Sequence, residues 1–418
     1  MKTIKLSILL LLVAIIPVMT SCNEDCQIID NMNVVVDANG NASNDATFET
    51  LDKNSFYLDY IKYTIKEGRL IVSGYDKLGF DGVAIIVSSI TYKGKRYKVS
   101  EIGEGAFKDC ERITLAVIPS SVTEIAYEAF SGCANLTKVT IPNSVVSIGS
   151  SAFKDCTSLY SLQLPNGITE IDAATFSGCT NLAKVTIPNS VVSIGSSAFK
   201  DCTSLYSLKL PDGITEIDAA TFSGCTNLSR VNIPGNVTKI GSYAFSGCTE
   251  LSLVDIPDGL KKIGSAAFYG CANLSWITIP NSVTDIESGA FCGCVSIPAI
   301  HIPDNLRLIF AETFHGCTGL ASVSIPNSVT YIGASALKDC VGLTSVTIPG
   351  NVTDISREAF LGCTGLTSVY SKNPTPPEAC ATFSSVTYNT ATLYVPKGAV
   401  DAYKSAGGWR EFKKIVEE

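Results

Sequence analysis

Residues 133–156 read CANLTKVTIPNSVVSIGSSAFKDC, and the pattern returns every 23 residues from Cys110 to Cys363. Twelve cysteines keep that step: Cys110, Cys133, Cys156, Cys179, Cys202, Cys225, Cys248, Cys271, Cys294, Cys317, Cys340 and Cys363. Taking each cysteine as position 0, Leu136, Val139 and Ile141 fall at +3, +6 and +8, Pro142 at +9, Val145 at +12 and Ile148 at +15. Phe153 stands three residues before the next cysteine, and only Leu337 replaces phenylalanine in that column. A fixed period of this length is the signature of a solenoid, in which each repeat is one coil stacked on its neighbours.

The spacing also shapes the coil. Apolar residues at +6 and +8 lie on one face of a short strand, so +5 and +7 face outward. Proline at +9 ends the strand because it cannot donate the next ladder hydrogen bond. Valine or threonine at +13, between apolar +12 and +15, predicts a second short strand. The Ser-Ala-Phe-x-x-Cys stretch predicts one tight helical turn with Ala, Phe and Cys inward. The fold expected is a repeat solenoid of 23-residue coils, with short parallel strands and tight helical turns, capped at both ends.

The repeat resembles the leucine-rich repeat of the BspA-like surface proteins: Leu-x-x-Val-x-Ile-Pro-x-x-Val-x-x-Ile-Gly-x-x-Ala-Phe-x-x-Cys runs from Ile102 to about Tyr370. Tyr92 to Val99 reads as a hairpin leading into the first coil, and Leu393 to Gly398 with Trp409-x-x-Phe412 resemble that family's C-terminal cap. The resemblance implies a leucine-rich-repeat fold and a class of function, adhesion or binding of host or matrix proteins. The glycine after the +15 isoleucine, present at Gly149, Gly195 and Gly241, gives way to Asp172, Asp218, Glu287 and Phe310, so that position does not demand a positive φ in every coil.

Outside the repeat, Lys2 and Lys5 precede an apolar run from Leu6 to Val18, too short to span a bilayer but suited to a signal peptide over 1–21. Met19-Thr20-Ser21-Cys22 resembles a lipoprotein lipobox with Cys22 as the lipidation site; ordinary secretory cleavage is the alternative. The expectation is an outer-membrane, lipid-anchored protein facing the cell surface, with the periplasmic face as the other choice. Residues 22–55 read as a flexible tether, 56–101 as a β-rich N-terminal cap, 102–370 as the solenoid, and 371–418 as a degenerate last coil and C-terminal cap. In that last coil Phe383 keeps the phenylalanine column and Val386 takes the cysteine slot, with a sealing helix from about Ala399 to Ala406.

A formal net charge of -8 with 17% charged residues excludes the dense basic face of a nucleic-acid binder. The cysteine column reads as small buried apolar residues carrying free thiols: a straight row does not converge on zinc, and disulfides between in-register coils would break the ladder spacing. Cys292 and His315 share a column on adjacent coils, but no orienting group or oxyanion site accompanies them, and no paired-carboxylate, P-loop or zinc motif occurs. An enzyme, a metal and a cofactor are therefore not expected. The candidate binding residues are the outward positions: Lys138, Lys184, Lys209 and Arg230 as a basic stripe, then Leu253, Asp255, Trp276 and His301 as a cluster around an exposed tryptophan. The partner expected is an extracellular protein; a glycan, stacked on Trp276, Tyr160, Tyr206 or Tyr370, is the alternative. Residues 139–184 and 185–230 differ only at Gln163/Lys209, Asn166/Asp212, Ala183/Ser229 and Lys184/Arg230, a two-coil duplication that an active site would rarely tolerate.

Overall fold

The computed structural model describes residues 33–35 and 46–418. The expected signal peptide, Cys22 and most of the expected tether lie outside the described residues. The chain divides into two compact units, residues 1–194 and 195–418.

The first unit opens on a sheet. Phe48–Thr50, Ser55–Leu58, Ile61–Lys66 and Arg69–Tyr75 form an antiparallel meander. Ser89–Tyr92 and Lys95–Ile102 make the expected hairpin. Both tight turns, Glu67-Gly68 and Lys93-Gly94, have two successive positive φ angles (51° and 78°; 50° and 75°). That is the turn sense whose twist matches paired strands. The sheet then hands over to the coils. Val83–Ile85 pairs in parallel with Leu115–Val117, and the end of Lys95–Ile102 pairs in parallel with Glu124–Ile125. Tyr75 and Phe80 sit over Phe107, with centroids 6.0 and 6.2 Å away, covering the first coil's open end.

Each coil carries two short parallel strands. The first spans +5 to +7, as in Lys138–Thr140 and Ser161–Gln163; the second spans +14 and +15, as in Ser147–Ile148 and Glu170–Ile171. Pairing joins like columns, for example Lys138 to Leu115 and Ile171 to Ile194.

The third side corrects the expected helical turn. Its backbone makes overlapping turns: Ala129 N donates to Ala126 O (3.3 Å), Ser131 N to Glu128 O (3.0 Å) and Cys133 N to Phe130 O (3.2 Å). Glu128 and Gly132, with φ of 52° and 74°, break any helix at its first and last turns. The remaining N–H groups point along the stack. Glu128 N donates to Ser150 O (3.2 Å), Phe130 N to Ala152 O (2.8 Å) and Gly132 N to Lys154 O (2.7 Å). Where both strand ladders continue, each coil is thus bonded to the next on three sides.

Beside the cysteine, a packing rule links neighbouring coils. Asp109, Asp155, Asp201 and Asp339 hold left-handed φ angles of 55–59°. Each leans over a glycine in the next coil, so that a Cβ on Gly132, Gly178, Gly224 or Gly362 would meet an aspartate Oδ1 at 2.2, 2.0, 2.1 or 2.0 Å. Glycine follows glycine without such crowding, as at Gly247 over Gly224 (3.8 Å).

In both units the phenylalanine column is a stack of nearly parallel rings. Phe107, Phe130, Phe153 and Phe176 follow at 5.1, 5.3 and 5.7 Å. Phe199 to Phe314 continue at 5.4–5.7 Å in the second unit. There the first strands Ser207–Lys209, Arg230–Asn232, Leu253–Asp255 and Trp276–Thr278 form one four-stranded parallel sheet. The next, Ala299–His301, pairs only onward, with Ser322–Ser324. Ser252 N and Ser275 N, at +4, each donate to the preceding coil (3.2 Å). Pro298 holds that column in the next coil and has no N–H to give Ser275 O.

The thirteenth coil is present, with one correction. Phe383 stacks on Phe360 at 5.2 Å, and Thr392–Val395 pairs with Ser368–Ser371. Val386, however, is 46% exposed on the helix Ser385–Thr390. The cysteine slot belongs to Thr387, fully buried, whose Oγ1 donates to Cys363 O (3.2 Å). The frame has slipped by one residue, and Pro396 accordingly follows Pro349 by 47 residues, one more than two periods. The expected sealing helix spans Val400–Ser405, and a strand that sequence reading missed, Lys414–Glu417, pairs in parallel with Thr392–Val395. Tyr403 and Trp409 are buried beneath it, with Trp409 Nε1 donating to Pro377 O (2.8 Å).

Candidate functional site

The outward columns are where the coils differ. Residues at +5 and +7 are exposed through most of the stack, while the residue between them packs inward, as Leu208, Val231 and Val254 do. In the second unit the four-stranded sheet sets Ser207, Arg230, Leu253 and Trp276 side by side in one column and Lys209, Asn232, Asp255 and Thr278 in the other. Trp276 is 64% exposed and directly opposite Leu253; Asp255 faces Thr278. Tyr206, at +4 of the first of these strands, is 52% exposed. His301 is exposed too, but it belongs to the strand beyond the Pro298 interruption and is not in this sheet.

The expected basic stripe is divided. Lys138 and Lys184 lie in the first unit on strands of separate sheets, Lys138 half-buried and Lys184 exposed. Lys209 and Arg230 occupy adjacent paired strands in the second. Neither Lys209 nor Arg230 forms an ion pair among the described residues. Cations on other sides of the coils do: Lys239 is 2.9 Å from Glu216 and Lys338 is 2.8 Å from Glu358.

Two other groups change meaning in three dimensions. The twelve column cysteines are buried, as expected, and are thiols outside any disulfide among the described residues. They are also donors. Cys133, Cys179, Cys225 and Cys248 place Sγ 3.0–3.1 Å from the phenylalanine carbonyl of the coil before. Burial pushes the Cys248 and Cys317 thiols up to about 12, so they stay protonated. Cys292 is nearly covered, and burial with the nearby Glu312 carboxylate pushes its thiol up, the reverse of an activated nucleophile. His315 turns instead to Asp339, Nε2 to Oδ2 3.4 Å. Among the described residues, no group of three or more His, Cys, Asp or Glu is placed to hold a metal ion. Tyr370, one of the possible sugar platforms, already has Tyr394 stacked on it at 4.6 Å and the Lys372 ammonium over its ring at 5.6 Å.

Sequence reading missed Cys380, an exposed free thiol, which lines a groove of about 550 Å³ with Arg357 and Glu378. It stands outside every column of the repeat and so carried no positional signal. No helix among the described residues is long and apolar enough to cross a membrane.

The model of the BspA type leucine-rich repeat region, a unit of six copies, matches residues 87–187, 123–252, 169–294 and 238–367. Among solved structures, the chain is similar to a leucine-rich repeat protein from Bacteroides ovatus, with 26% identity over 87% of this chain and 99% of that one, at a TM-score of 0.67. A leucine rich cell surface protein from Faecalibacterium prausnitzii aligns at 25% identity over 88% of this chain and 96% of that one, at a TM-score of 0.58. No curated protein matches the chain.

Proposed function

The chain belongs to the BspA-type leucine-rich-repeat family, and from that premise we propose that it is a non-enzymatic surface protein that binds extracellular macromolecules on its outward strand face. One observation carries the proposal. The inward columns repeat coil after coil, while +5 and +7 change in charge, size and aromaticity, and they do so on a regular, solvent-facing sheet. A flat face fixed by the fold and varied in its side chains is suited to many small contacts around a few large anchors. Trp276, beside Leu253, is the anchor; Asp255, Lys209 and Arg230 supply polarity, while Lys138 and Lys184 lie on outward strand positions of the first unit and His301 on the strand beyond Pro298. The adhesion role rests on the family and on the surface location stated for the F. prausnitzii relative.

The same reading places the mature chain at the outer membrane through a lipid on Cys22. Incorporation of labelled palmitate into the wild type and its loss in Cys22→Ala are the expected results, and protease shaving of intact cells separates the surface from the periplasmic face. Binding itself is tested by pull-down against host matrix proteins beside a glycan array. Trp276→Ala is expected to fold normally and to lose binding. An unchanged set of interactions removes the strand-face proposal. A glycan ligand is the second reading, supported by the exposed rings of Trp276, Tyr160 and Tyr206.

A further inference from the structure

The two copies of the internal duplication record where the molecule has changed. They differ at four positions, and three of these, Gln163/Lys209, Ala183/Ser229 and Lys184/Arg230, are at +7, +4 and +5 of the first strand. The fourth, Asn166/Asp212, lies in the turn after that strand, and every other position is identical. Two of the three differences give the second copy a new or a broader cation, Lys209 and Arg230. Those two lie diagonally on adjacent paired strands, Arg230 opposite Ser207 and Lys209 opposite Asn232. Both are exposed and have no carboxylate partner among the described residues, in a chain whose formal net charge is -8.

We propose that this four-stranded face binds an acidic segment of a partner protein that also carries a bulky apolar side chain. The inference rests on the strand-face reading above and names the chemistry of its ligand. The arrangement is polar from end to end. Tyr206, Lys209 and Arg230 hold one side, and Leu253 and Trp276 the other, with Asp255 beyond the cations in register with Asn232. Three strand steps of about 4.8 Å make the face roughly 14 Å long, the reach of four or five extended residues. Aspartate or glutamate of the ligand pairs with Arg230 and Lys209, and its apolar side chain lies between Leu253 and Trp276. Asp255 disfavours an acidic group at the tryptophan end and so sets direction. Part of what a sugar would use at the edge of this face, its hydroxyl donors, is already taken. The serines at +4 have already committed theirs: Ser229, Ser252 and Ser275 Oγ donate to the carbonyls of the coil before (3.2, 3.3 and 3.4 Å).

The test is panning of phage-displayed random peptides on the full chain, with sulfated and uronic-acid oligosaccharides assayed alongside. Selected peptides are expected to combine Asp or Glu with an aromatic or branched apolar residue. Their affinity should fall about tenfold in Lys209→Glu/Arg230→Glu, corresponding to about 1.4 kcal/mol, and should weaken with added salt. Circular dichroism of the variant should be unchanged. Neutral or basic peptides, or acidic ones that bind the double variant undiminished, overturn the proposal. If such peptides still depend on Trp276, the face binds and only the acidic class is wrong. If neither Trp276→Ala nor the double variant alters binding, the strand-face reading fails as well. Binding of the oligosaccharides, and not of peptides, through Lys209 and Arg230 makes the ligand a glycan and also overturns it.

Discussion

Replacing Cys248 by serine and by alanine separates two accounts of the thiol column. If the thiol is only a filler, serine buries a hydroxyl in an apolar slot and costs about 1–3 kcal/mol more than alanine. The structure argues the opposite order. Cys248 Sγ lies 3.1 Å from Phe222 O, and with its pKa pushed up to about 12 it keeps its proton at any working pH. Serine retains that donor in nearly the same place, whereas alanine deletes it together with a methylene-sized group worth about 0.8 kcal/mol. Adding about 0.5–1 kcal/mol for the hydrogen bond, Cys248→Ala should cost about 1–2 kcal/mol and Cys248→Ser about 1 or less. Phe222 O is not orphaned in either variant, because Cys225 N also donates to it (3.1 Å). The molecule supplies a partial precedent, since the buried hydroxyl of Thr387 in the last coil also donates to the coil before, there to Cys363 O and not to the phenylalanine carbonyl. Urea unfolding followed by circular dichroism gives the ranking. Amide exchange around Cys248 gives a local reading in case the coils do not unfold as one. Serine less stable than alanine by more than about 1 kcal/mol would refute the donor account.

Gly178→Ala should destabilise by about 1–2 kcal/mol, the cost of a side chain at a left-handed position, because φ is 75° and its Cβ would meet Asp155 Oδ1 at 2.0 Å. Pairing it with Asp155→Gly should recover part of that loss in thermal melts, the part due to contact. Glu287→Gln should lower stability at neutral pH by no more than about 1 kcal/mol. Lys262 first, then the N–H and hydroxyl of Ser265, hold the Glu287 carboxyl below its ordinary value. A depressed carboxyl stabilises above its unfolded pKa and ceases to do so as pH falls through the folded one, so melting curves of wild type and variant should converge in acid. Iodoacetamide applied to the native protein should label Cys380 and spare the twelve column cysteines; after unfolding without reductant all of them should react. Native labelling of the column would contradict its burial.

The coil was legible because its causes are periodic. A cysteine every 23 residues, proline at +9 and the apolar alternation fixed the strands, the inward columns and the two outward ones before any coordinates. What escaped had no such signature. The third ladder depends on left-handed residues that are as often Glu128, Ser151 or Ala174 as glycine, so no residue type announces the turns. The thiol's bond to the preceding coil joins residues 26 apart, longer than the period, and a column reading treats that slot as apolar. The break beside Trp276 was written in Pro298, yet proline there matters only because the +4 amide of other coils is a ladder donor. Of the site, Trp276, Leu253 and Asp255 came together as their columns implied. Of the four cations, Lys138 and Lys184 stand on separate sheets of the first unit, because pairing is interrupted between Lys138–Thr140 and Ser161–Gln163, and Lys209 and Arg230 stand on paired strands of the second.

The aspartate that overhangs the next coil's glycine also sets the step by which this gene can grow. Copying a single Asp-bearing coil would set one aspartate against another, and the overhanging carboxylate would have to swing away from the new Cβ. Copying it together with its Gly-bearing successor, as 139–184 and 185–230 were, preserves the alternation at both junctions. Copies that include an Asp-bearing coil should therefore come in units of 46 residues, twice the visible period, whereas a Gly-bearing coil can be repeated alone.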